Sequence, residues 1–160
     1  MATVTQTPGS IATHTITLAS LASSTTAGQQ GTAIDNSSDL APDAELFGKF
    51  MTGASPVAGG TVDIFVYGSG DGTTFAAGMT GSNGAITPTS YGALYLAGSI
   101  QVSATGNTSY TFHFPSLAAV FGKLPASKWG VFVRNNSGGA LHGTGSNHEV
   151  KSKPIKYSSA

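Results

Sequence analysis

Two stretches of the chain carry the strongest hydrophobic pattern, and both are typical of β-strands. Residues 61–67 and 128–135 are apolar runs rich in β-branched and aromatic side chains, which favour extended backbone. The first is followed by the Gly- and Asp-rich segment 68–72, and the second by the Asn-, Ser- and Gly-rich segment 136–139. Asp-Gly at 71–72 supplies residue types that tight turns require. Each stretch therefore predicts a strand that ends in a turn, with a return strand beginning at 73–77 after the first.

Weaker alternation predicts further strands along the rest of the chain. We expect them at 14–18, 32–34, 44–52, 94–102, 109–114 and 150–157. Segment 44–52 could also be a helix, although Gly48 disfavours that alternative. Pro154 cannot donate a backbone hydrogen bond, so it indicates an edge strand or a tail. Seven to nine strands separated by turns predict an all-β fold, an antiparallel β-sandwich or jelly roll, although the pattern does not separate a sandwich from a closed barrel.

One short helix and two loops complete the expected organisation. Ser116 follows a proline and could cap a helix over 116–122 that ends at Gly122. Segments 78–90 and 136–147 are expected to be loops, the first of them long and flexible, and both are candidate contact surfaces. We divide the chain into an extended N-terminal arm at 1–12, one sandwich domain at 13–147, and a C-terminal strand or tail at 148–160.

The composition narrows the range of functions. Only 9% of the residues are charged and the formal net charge is zero, so clustered cations for binding nucleic acid or a membrane surface are not expected. The chain has no cysteine, which excludes disulfides and thiolate metal sites. Residues 1–9 do not resemble a signal peptide, and no stretch approaches the length of a transmembrane helix. A nearly uncharged surface favours association, so we expect partners to cover much of it.

The residues that could carry chemistry have simpler structural explanations. His142 and His148, with Glu149 adjacent, give a weak indication of a metal site, while His14 and His113 lie on predicted strands. The acidic cluster at 35–39 offers oxygen ligands for calcium but does not match a calcium-binding loop. Asp35, Asp39, Asp43 and Asp71 lie in turn segments, where their usual role is hydrogen bonding to the backbone. We predict no catalytic, cofactor-binding or metal-binding residues, and no enzyme activity.

Aromatic residues are expected mainly in the core. Trp129, the single tryptophan, lies on a predicted strand, and seven phenylalanines are expected between the sheets: Phe47, Phe65, Phe75, Phe112, Phe114, Phe121 and Phe132. Lys128 and Arg134 flank the Trp129 strand and could face solvent or an acidic partner. An alternative is a carbohydrate-binding sandwich, which would need exposed aromatic rings. Its candidates are Trp129, Tyr67, Tyr91 and Tyr95.

Five motifs in order resemble a group of small virion proteins of tailed bacteriophages. They are the segment 17–24 (Thr-Leu-Ala-Ser-Leu-Ala-Ser-Ser), Asp35-Asn36, the hairpin-like segment 66–73, the segment 118–122 (Ala-Ala-Val-Phe-Gly), and the segment 124–135. The similarity covers most of residues 15–140, and segment 148–160 has no counterpart in it.

The resemblance implies a structural role in the virion without chemistry. It favours a capsid decoration or auxiliary head protein, with a tail or head–tail connector component as the alternative. The expected partners are the major capsid protein or other virion proteins and further copies of this chain, as a dimer or trimer, after assembly in the host cytoplasm. Weak glycan binding is compatible with this role. No cofactor, nucleic acid or membrane is implied, and the 1–12 arm is an expected contact.

Overall fold

Two antiparallel sheets pack face to face in the computed structural model, which describes residues 4–125 and 127–159. Sheet A consists of β1 (Val4–Pro8), β2 (Ala12–Thr13), β5 (Asp43–Met51), β9 (Ser109–Phe114) and β11 (Glu149–Ser159). Sheet B consists of β3 (Gly28–Gln30), β4 (Ile34–Asp35), β6 (Thr61–Ser69), β7 (Gly84–Ile86), β8 (Tyr95–Gln101) and β10 (Lys128–Asn136). The prediction of an all-β antiparallel sandwich is confirmed, and 44–52 is a strand rather than a helix.

The strand order places the longest strands in the middle of each sheet. In sheet A the order is β1-β11-β5-β9, with β2 also beside β11, and in sheet B it is β7-β3-β10-β6-β8, with β4 also beside β10. The two strongest predicted strands, β6 and β10, pair along their full length from Lys128↔Ser69 to Asn136↔Thr61. They therefore form the centre of sheet B.

The only α-helix among the described residues is α1 (Ala118–Phe121), within the segment where a helix was predicted. Its first turn is held by Asp43, whose carboxylate accepts hydrogen bonds from the Ala118 N–H and the Ser116 hydroxyl, both at 2.7 Å. Ser116 in turn accepts a bond from the Ala119 N–H at 3.2 Å. Gly122 ends the helix with a φ of 76°, a conformation that glycine adopts without strain.

The main core lies between the sheets, where apolar side chains from both inner faces meet. Sheet A contributes Leu46, Phe50, Phe112 and Val150, and sheet B contributes Val62, Ile64, Val66, Trp129, Val131 and Val133. Trp129 is 3% exposed, which confirms the prediction that it anchors the core. Alternate residues of β5 and β11 point inwards, as expected for a sheet with one buried face.

A second apolar cluster covers the outer face of sheet B. Phe65, Tyr67 and Phe132 point away from the main core and pack against the segment 75–94, which supplies Ala77, Met79 and Leu94. Gly130 leaves the space for the Tyr67 ring, because a Cβ there would lie 2.5 Å from its hydroxyl oxygen. The Tyr67 hydroxyl donates to the Gly31 carbonyl at 2.6 Å.

The prediction that seven phenylalanines share one core is therefore wrong for four of them. Phe65, Phe75 and Phe132 belong to the outer cluster, and Phe47 points to the opposite side of the molecule on the outer face of sheet A. Phe112 lies in the main core, and Phe114 and Phe121 pack against it. The alternation of a strand separates its two faces but does not show whether both faces are covered.

Three segments differ from the expected local structure. Residues 14–18 are not a strand, although β2 ends just before them, and no return strand follows the 68–72 turn, because a 3₁₀ turn forms at Ala76–Gly78. The expected flexible loop at 78–90 contains β7, which pairs with β3. It is also held by side chains, since Gln30 donates to the Thr80 hydroxyl at 2.6 Å and Gln29 to the side-chain amide oxygen of Asn83 at 2.7 Å.

The chain ends meet in sheet A. The segment predicted as a C-terminal strand or tail, 148–160, contains the strand β11 in its described part. The edge position that Pro154 suggested for 150–157 is wrong up to Ile155, because β11 there lies between β5 and the strands β1 and β2. Of the predicted extended arm at 1–12, residues 4–8 are the strand β1, paired with Ile155–Ser159. Residues 1–3 and 160 lie outside the described residues.

Within the described part of the chain, no helix is long and apolar enough to cross a membrane.

Candidate functional site

The outer face of sheet A is a partly exposed surface of the sandwich in the described part of the chain. Residues of β5, β9 and β11 that point away from the core form it, and we call them the open face: Glu45, Phe47, Lys49, Thr111, His113, Glu149, Lys151 and Lys153. Each is intermediate or exposed. Phe47 lies at its centre, opposite Lys151 on one side and His113 on the other.

Charges are concentrated on the open face. It holds five of the 14 residues that are Lys, Arg, Asp or Glu, three lysines and two glutamates, which gives a local charge of +1 with His113 neutral. Lys151 pairs with Glu149 at 2.7 Å, and the His113 ring nitrogen lies 3.3 Å from the Glu45 carboxylate. Such exposed pairs contribute little to stability, so this face is free to exchange its ion pairs for those of a partner.

A two-stranded ribbon extends the open face beyond the sandwich. β5 pairs with β11 only as far as Asp43, its first residue, which lies opposite Ile155. From there β11 continues to Ser159, and β1 is the only described strand that pairs with this part. The side chains of Thr5, Gln6 and Tyr157 on this ribbon are exposed. We call residues 4–8 and 155–159 the terminal ribbon. Isolated two-stranded ribbons are only marginally stable in water, so a neighbour along either free edge would stabilise it.

The fold brings the predicted pair, His142 and His148, together, but both rings form hydrogen bonds within the chain. His148 Nε2 donates to the His142 carbonyl at 2.8 Å, and its Nδ1 accepts from the Met51 N–H at 3.4 Å. His142 Nδ1 accepts from the Thr144 N–H at 3.1 Å and lies 3.0 Å from the Asn147 amide nitrogen. Burial lowers the pKa of His148. Across residues 4–125 and 127–159, no group of three His, Cys, Asp or Glu side chains could hold a metal ion.

His14 is the most deeply buried of the histidines. It is 4% exposed, and its Nε2 lies 3.0 Å from the Ser152 hydroxyl of β11. Its ring contacts Trp129 edge-on, with 5.2 Å between centroids, so it connects sheet A with sheet B. Burial lowers its pKa from 6.5 to about 4, because the charged imidazolium would lose its hydration. His14 is therefore a neutral core residue near pH 7.

The acidic residues of the turns hold backbone conformation. Asp71 Oδ1 accepts from the Ser69 hydroxyl and from the N–H groups of Thr73 and Thr74 at 2.7–2.9 Å, and these bonds hold its pKa well below the usual range. Asp35 accepts from the Ser37 N–H at 2.8 Å, and hydrogen bonding to the side chain and then the backbone of Ser37 lowers its pKa. Asp39 pairs with Lys156 at 2.6 Å. The 35–39 cluster is thus a hydrogen-bonded turn, which replaces the calcium interpretation.

Of the four predicted stacking residues, one is accessible. Trp129 and Tyr67 are buried, and the hydroxyl of Tyr91 is buried as well. Tyr95 is 43% exposed and its ring lies 4.7 Å from that of Phe121, centroid to centroid. These two rings line a groove of about 460 Å³ together with Pro125 and the glycines of the 68–70 turn. Tyr95 was a candidate from the sequence, but no sequence pattern indicated that the Phe121 ring would lie beside it.

Arg134 is satisfied within the chain rather than available to a partner. Its guanidinium donates two hydrogen bonds to Asp63 Oδ2, at 2.7 and 3.0 Å, and lies 4.7 Å from the centre of the Tyr91 ring. Asp63 also accepts from the Ser99 hydroxyl. Lys128, at the start of β10, is half-buried. The cations that a partner could reach are therefore Lys123, exposed after α1, and the partly exposed lysines of the open face.

The open face itself was missed by the sequence analysis, although its residues alternate visibly. Glu45, Phe47 and Lys49 alternate with inward residues in β5, and Glu149, Lys151 and Lys153 do so in β11. Alternation of charged and apolar residues is the usual sign of a sheet with one solvated face. The signal was overlooked in β11 because Pro154 suggested a tail.

No protein-family model matches this chain, and no curated protein matches its sequence.

Proposed function

We propose that this chain is a non-enzymatic structural protein of a tailed-bacteriophage virion, and that it decorates the assembled capsid shell. The observation that carries the proposal is the unequal covering of the two sheets. Sheet B is packed on both faces along β6 and β10, whereas sheet A presents an open face that continues into the terminal ribbon. This arrangement suits a protein that attaches through one side, with the ordered motifs at 17–24, 66–73 and 124–135 as the further support.

Attachment through the open face would combine two kinds of contact. Phe47 offers an apolar centre, and the lysines around it can form ion pairs with carboxylates of the shell. The terminal ribbon adds backbone hydrogen bonds through its free edges. A protein that binds only the assembled shell stabilises it at every site that it occupies. The contribution of each copy can therefore be small while the effect on the whole particle is large.

The first test is the copy number of the protein in purified virions, measured by quantitative mass spectrometry against the major capsid protein. We expect on the order of hundreds of copies, as shell decoration requires one copy or cluster per repeating unit. About six or twelve copies would instead indicate a tail or connector component, following the symmetry of those structures. Absence from the particle would refute the virion role.

The attachment surface can be tested with purified shells that lack the protein. Phe47→Ala combined with Lys151→Glu should weaken binding strongly, because it removes the apolar centre and reverses a charge. Thr73→Ala combined with Thr74→Ala, in the 68–75 segment on the other sheet, is the matched control and should bind normally. Equal binding of both variants would exclude the open face as the attachment surface.

Carbohydrate binding is a second candidate, and the groove between Tyr95 and Phe121 favours it. Aromatic rings exposed in a groove can stack against the apolar face of a sugar. If this candidate is correct, Tyr95→Ala abolishes binding on a glycan array while Phe47→Ala leaves it unchanged. A wild-type protein that binds no glycan would exclude it.

A further inference from the structure

β1 is joined to the rest of the molecule through a single neighbour. It pairs with residues 155–159 of β11, from Pro8↔Ile155 to Val4↔Ser159, and no other described strand pairs with it. β11 here extends beyond Asp43, the first residue of β5 and the partner of Ile155. The side chains of Thr5, Gln6, Thr7 and Pro8 are all exposed. Removing β1 would therefore break one ladder of hydrogen bonds and uncover no part of the main core.

The connection after β1 is suited to act as a hinge. Gly9, Ser10 and Ile11 separate β1 from β2, which pairs again with β11 at Lys151 and Ser152. The Gly9 N–H donates to the Pro154 carbonyl at 2.7 Å, but Pro154 has no N–H to return the bond. The ladder is thus one bond short at the point where β1 would separate. A short connection of this kind allows an element to change partners without unfolding the domain.

The strand that receives β1 is anchored independently. β11 pairs with β5 from Glu149 to Ile155, and Lys156 of the terminal ribbon is tied to Asp39 at 2.6 Å. When β1 leaves, Ile155 and Lys156 therefore stay attached to the sandwich, and residues 157–159 await the β1 strand of another copy. The pairing of β1 with β11 within one molecule shows which strand sequence and which register this edge accepts.

We propose that β1 is exchanged between copies of this chain, so that Val4–Pro8 of one copy pairs with Ile155–Ser159 of another. The second copy is the occupant that this edge specifies, because it offers the same strand in the same register. The formal net charge of zero removes a general repulsion between copies. Exchange links copies without a new interface, and it does not depend on the proposed virion role.

The register identifies the best positions for a disulfide test. Gly9 and Pro154 are opposite each other and hydrogen-bonded, and such pairs alternate with non-bonded ones, so Gln6 and Tyr157 form a non-bonded pair. In these pairs the Cα atoms are about 4.5 Å apart, within the range that a disulfide spans. The chain has no cysteine of its own, so every introduced thiol can be assigned.

The experiment mixes two full-length single variants, Gln6→Cys and Tyr157→Cys, under slow oxidation and measures the products by intact mass. The matched control mixes Gln6→Cys with Thr111→Cys, an exposed position on the same face that does not oppose Gln6. Total concentration is raised to about 1 mM, the range of the effective concentration that favours closure within one chain. The double variant Gln6→Cys/Tyr157→Cys, oxidised in dilute solution, tests whether the pair can form a disulfide at all.

We expect the Gln6→Cys–Tyr157→Cys heterodimer to exceed the control heterodimer several-fold and to increase with concentration. If the two yields are equal while the double variant closes within one chain, β1 stays with its own β11 and the proposal is refuted. If the double variant does not close, the β1–β11 register is absent and the proposal fails as well. Neither result changes the copy number in virions, so the proposed function is tested separately.

Discussion

The two sheets of this sandwich share one core and differ in what covers their outer faces. In sheet B, the outward residues of β6 and β10 are packed under the segment 75–94, and six of the nine residues of β10 are buried. In sheet A, the outward residues of β5 and β11 remain half-exposed and carry charges. The comparison indicates that sheet B stabilises the fold, whereas sheet A is available for contacts with other molecules.

The largest expected difference between the sheets is the loss of stability when one phenylalanine is replaced in each. Both phenylalanines lie on the outward face of a central strand. Phe132 of β10 is fully buried in the outer cluster, while Phe47 of β5 lies on the open face. Phe132→Ala should lower the free energy of unfolding by about 3–5 kcal/mol, because it removes a buried ring and leaves a cavity. Phe47→Ala should lower it by less, about 1–2 kcal/mol, since its ring is only partly buried and its removal leaves no closed cavity.

Urea unfolding of both variants against wild type measures this difference. Equal losses of stability would mean that the segment 75–94 does not cover sheet B as described, or that Phe47 is buried in solution by another copy. The concentration dependence of the Phe47→Ala transition separates these two explanations, because only association between copies depends on protein concentration.

The same two strands show how far the sequence determines the structure. Val62, Ile64 and Val66 alternate with Phe65 and Tyr67, so both faces of β6 are apolar, which is typical of a strand buried on both sides. The strand was predictable, but Phe65 was expected between the sheets, so the covering of the second face was not predicted. What lies on each face was not predictable, because the covering segment is held by hydrogen bonds such as Gln30–Thr80, between residues 50 positions apart.

The terminal strands were harder to predict for a different reason. The pairing of β1 with β11 joins residues at opposite ends of the chain, and no local pattern encodes such a pairing. Pro154 indicated an edge because a central strand normally needs every N–H. The fold places Pro154 opposite Gly9, in the break between β1 and β2, so the missing N–H lies where the ladder is already interrupted. Sequence reasoning therefore identified the constraint but not the way in which the fold satisfies it.

A pH titration sharpens the comparison, because His14 connects the two sheets. Its pKa is about 4 in the folded protein and 6.5 when unfolded, so the unfolded chain binds a proton first as the pH falls. The folded state should lose about 3 kcal/mol between pH 6.5 and pH 4, with no further loss from this group below pH 4. His148, whose pKa burial also lowers, contributes in the same direction.

Urea midpoints between pH 7.5 and pH 4 test this prediction in wild type and in His14→Gln. The variant should show a much shallower loss of stability over this range, and His148→Gln should remove a smaller part. His113→Gln is the control, because that side chain is exposed on the open face. A His14→Gln protein with the full wild-type pH dependence would show that His14 is hydrated in solution.

The smallest expected effect compares one ion pair from each sheet. Arg134 in sheet B donates two hydrogen bonds to Asp63, which is 5% exposed, whereas Lys151 in sheet A pairs with Glu149 in solvent. Arg134→Met should lower the free energy of unfolding by about 2 kcal/mol, because a buried carboxylate loses its main partner. Lys151→Met should change it by less than about 1 kcal/mol, as exposed pairs do.

Addition of salt distinguishes the two pairs further, since screening affects solvent-exposed charges most. In 1 M NaCl, the small effect of Lys151→Met should disappear, while that of Arg134→Met should persist. If both effects disappeared, the Arg134–Asp63 pair would have to be open to solvent, and the segment that contains Tyr91 could not lie over it as the ring contact requires. Sheet B would then be no better covered than sheet A, and the unequal covering that supports the proposed attachment side would be lost.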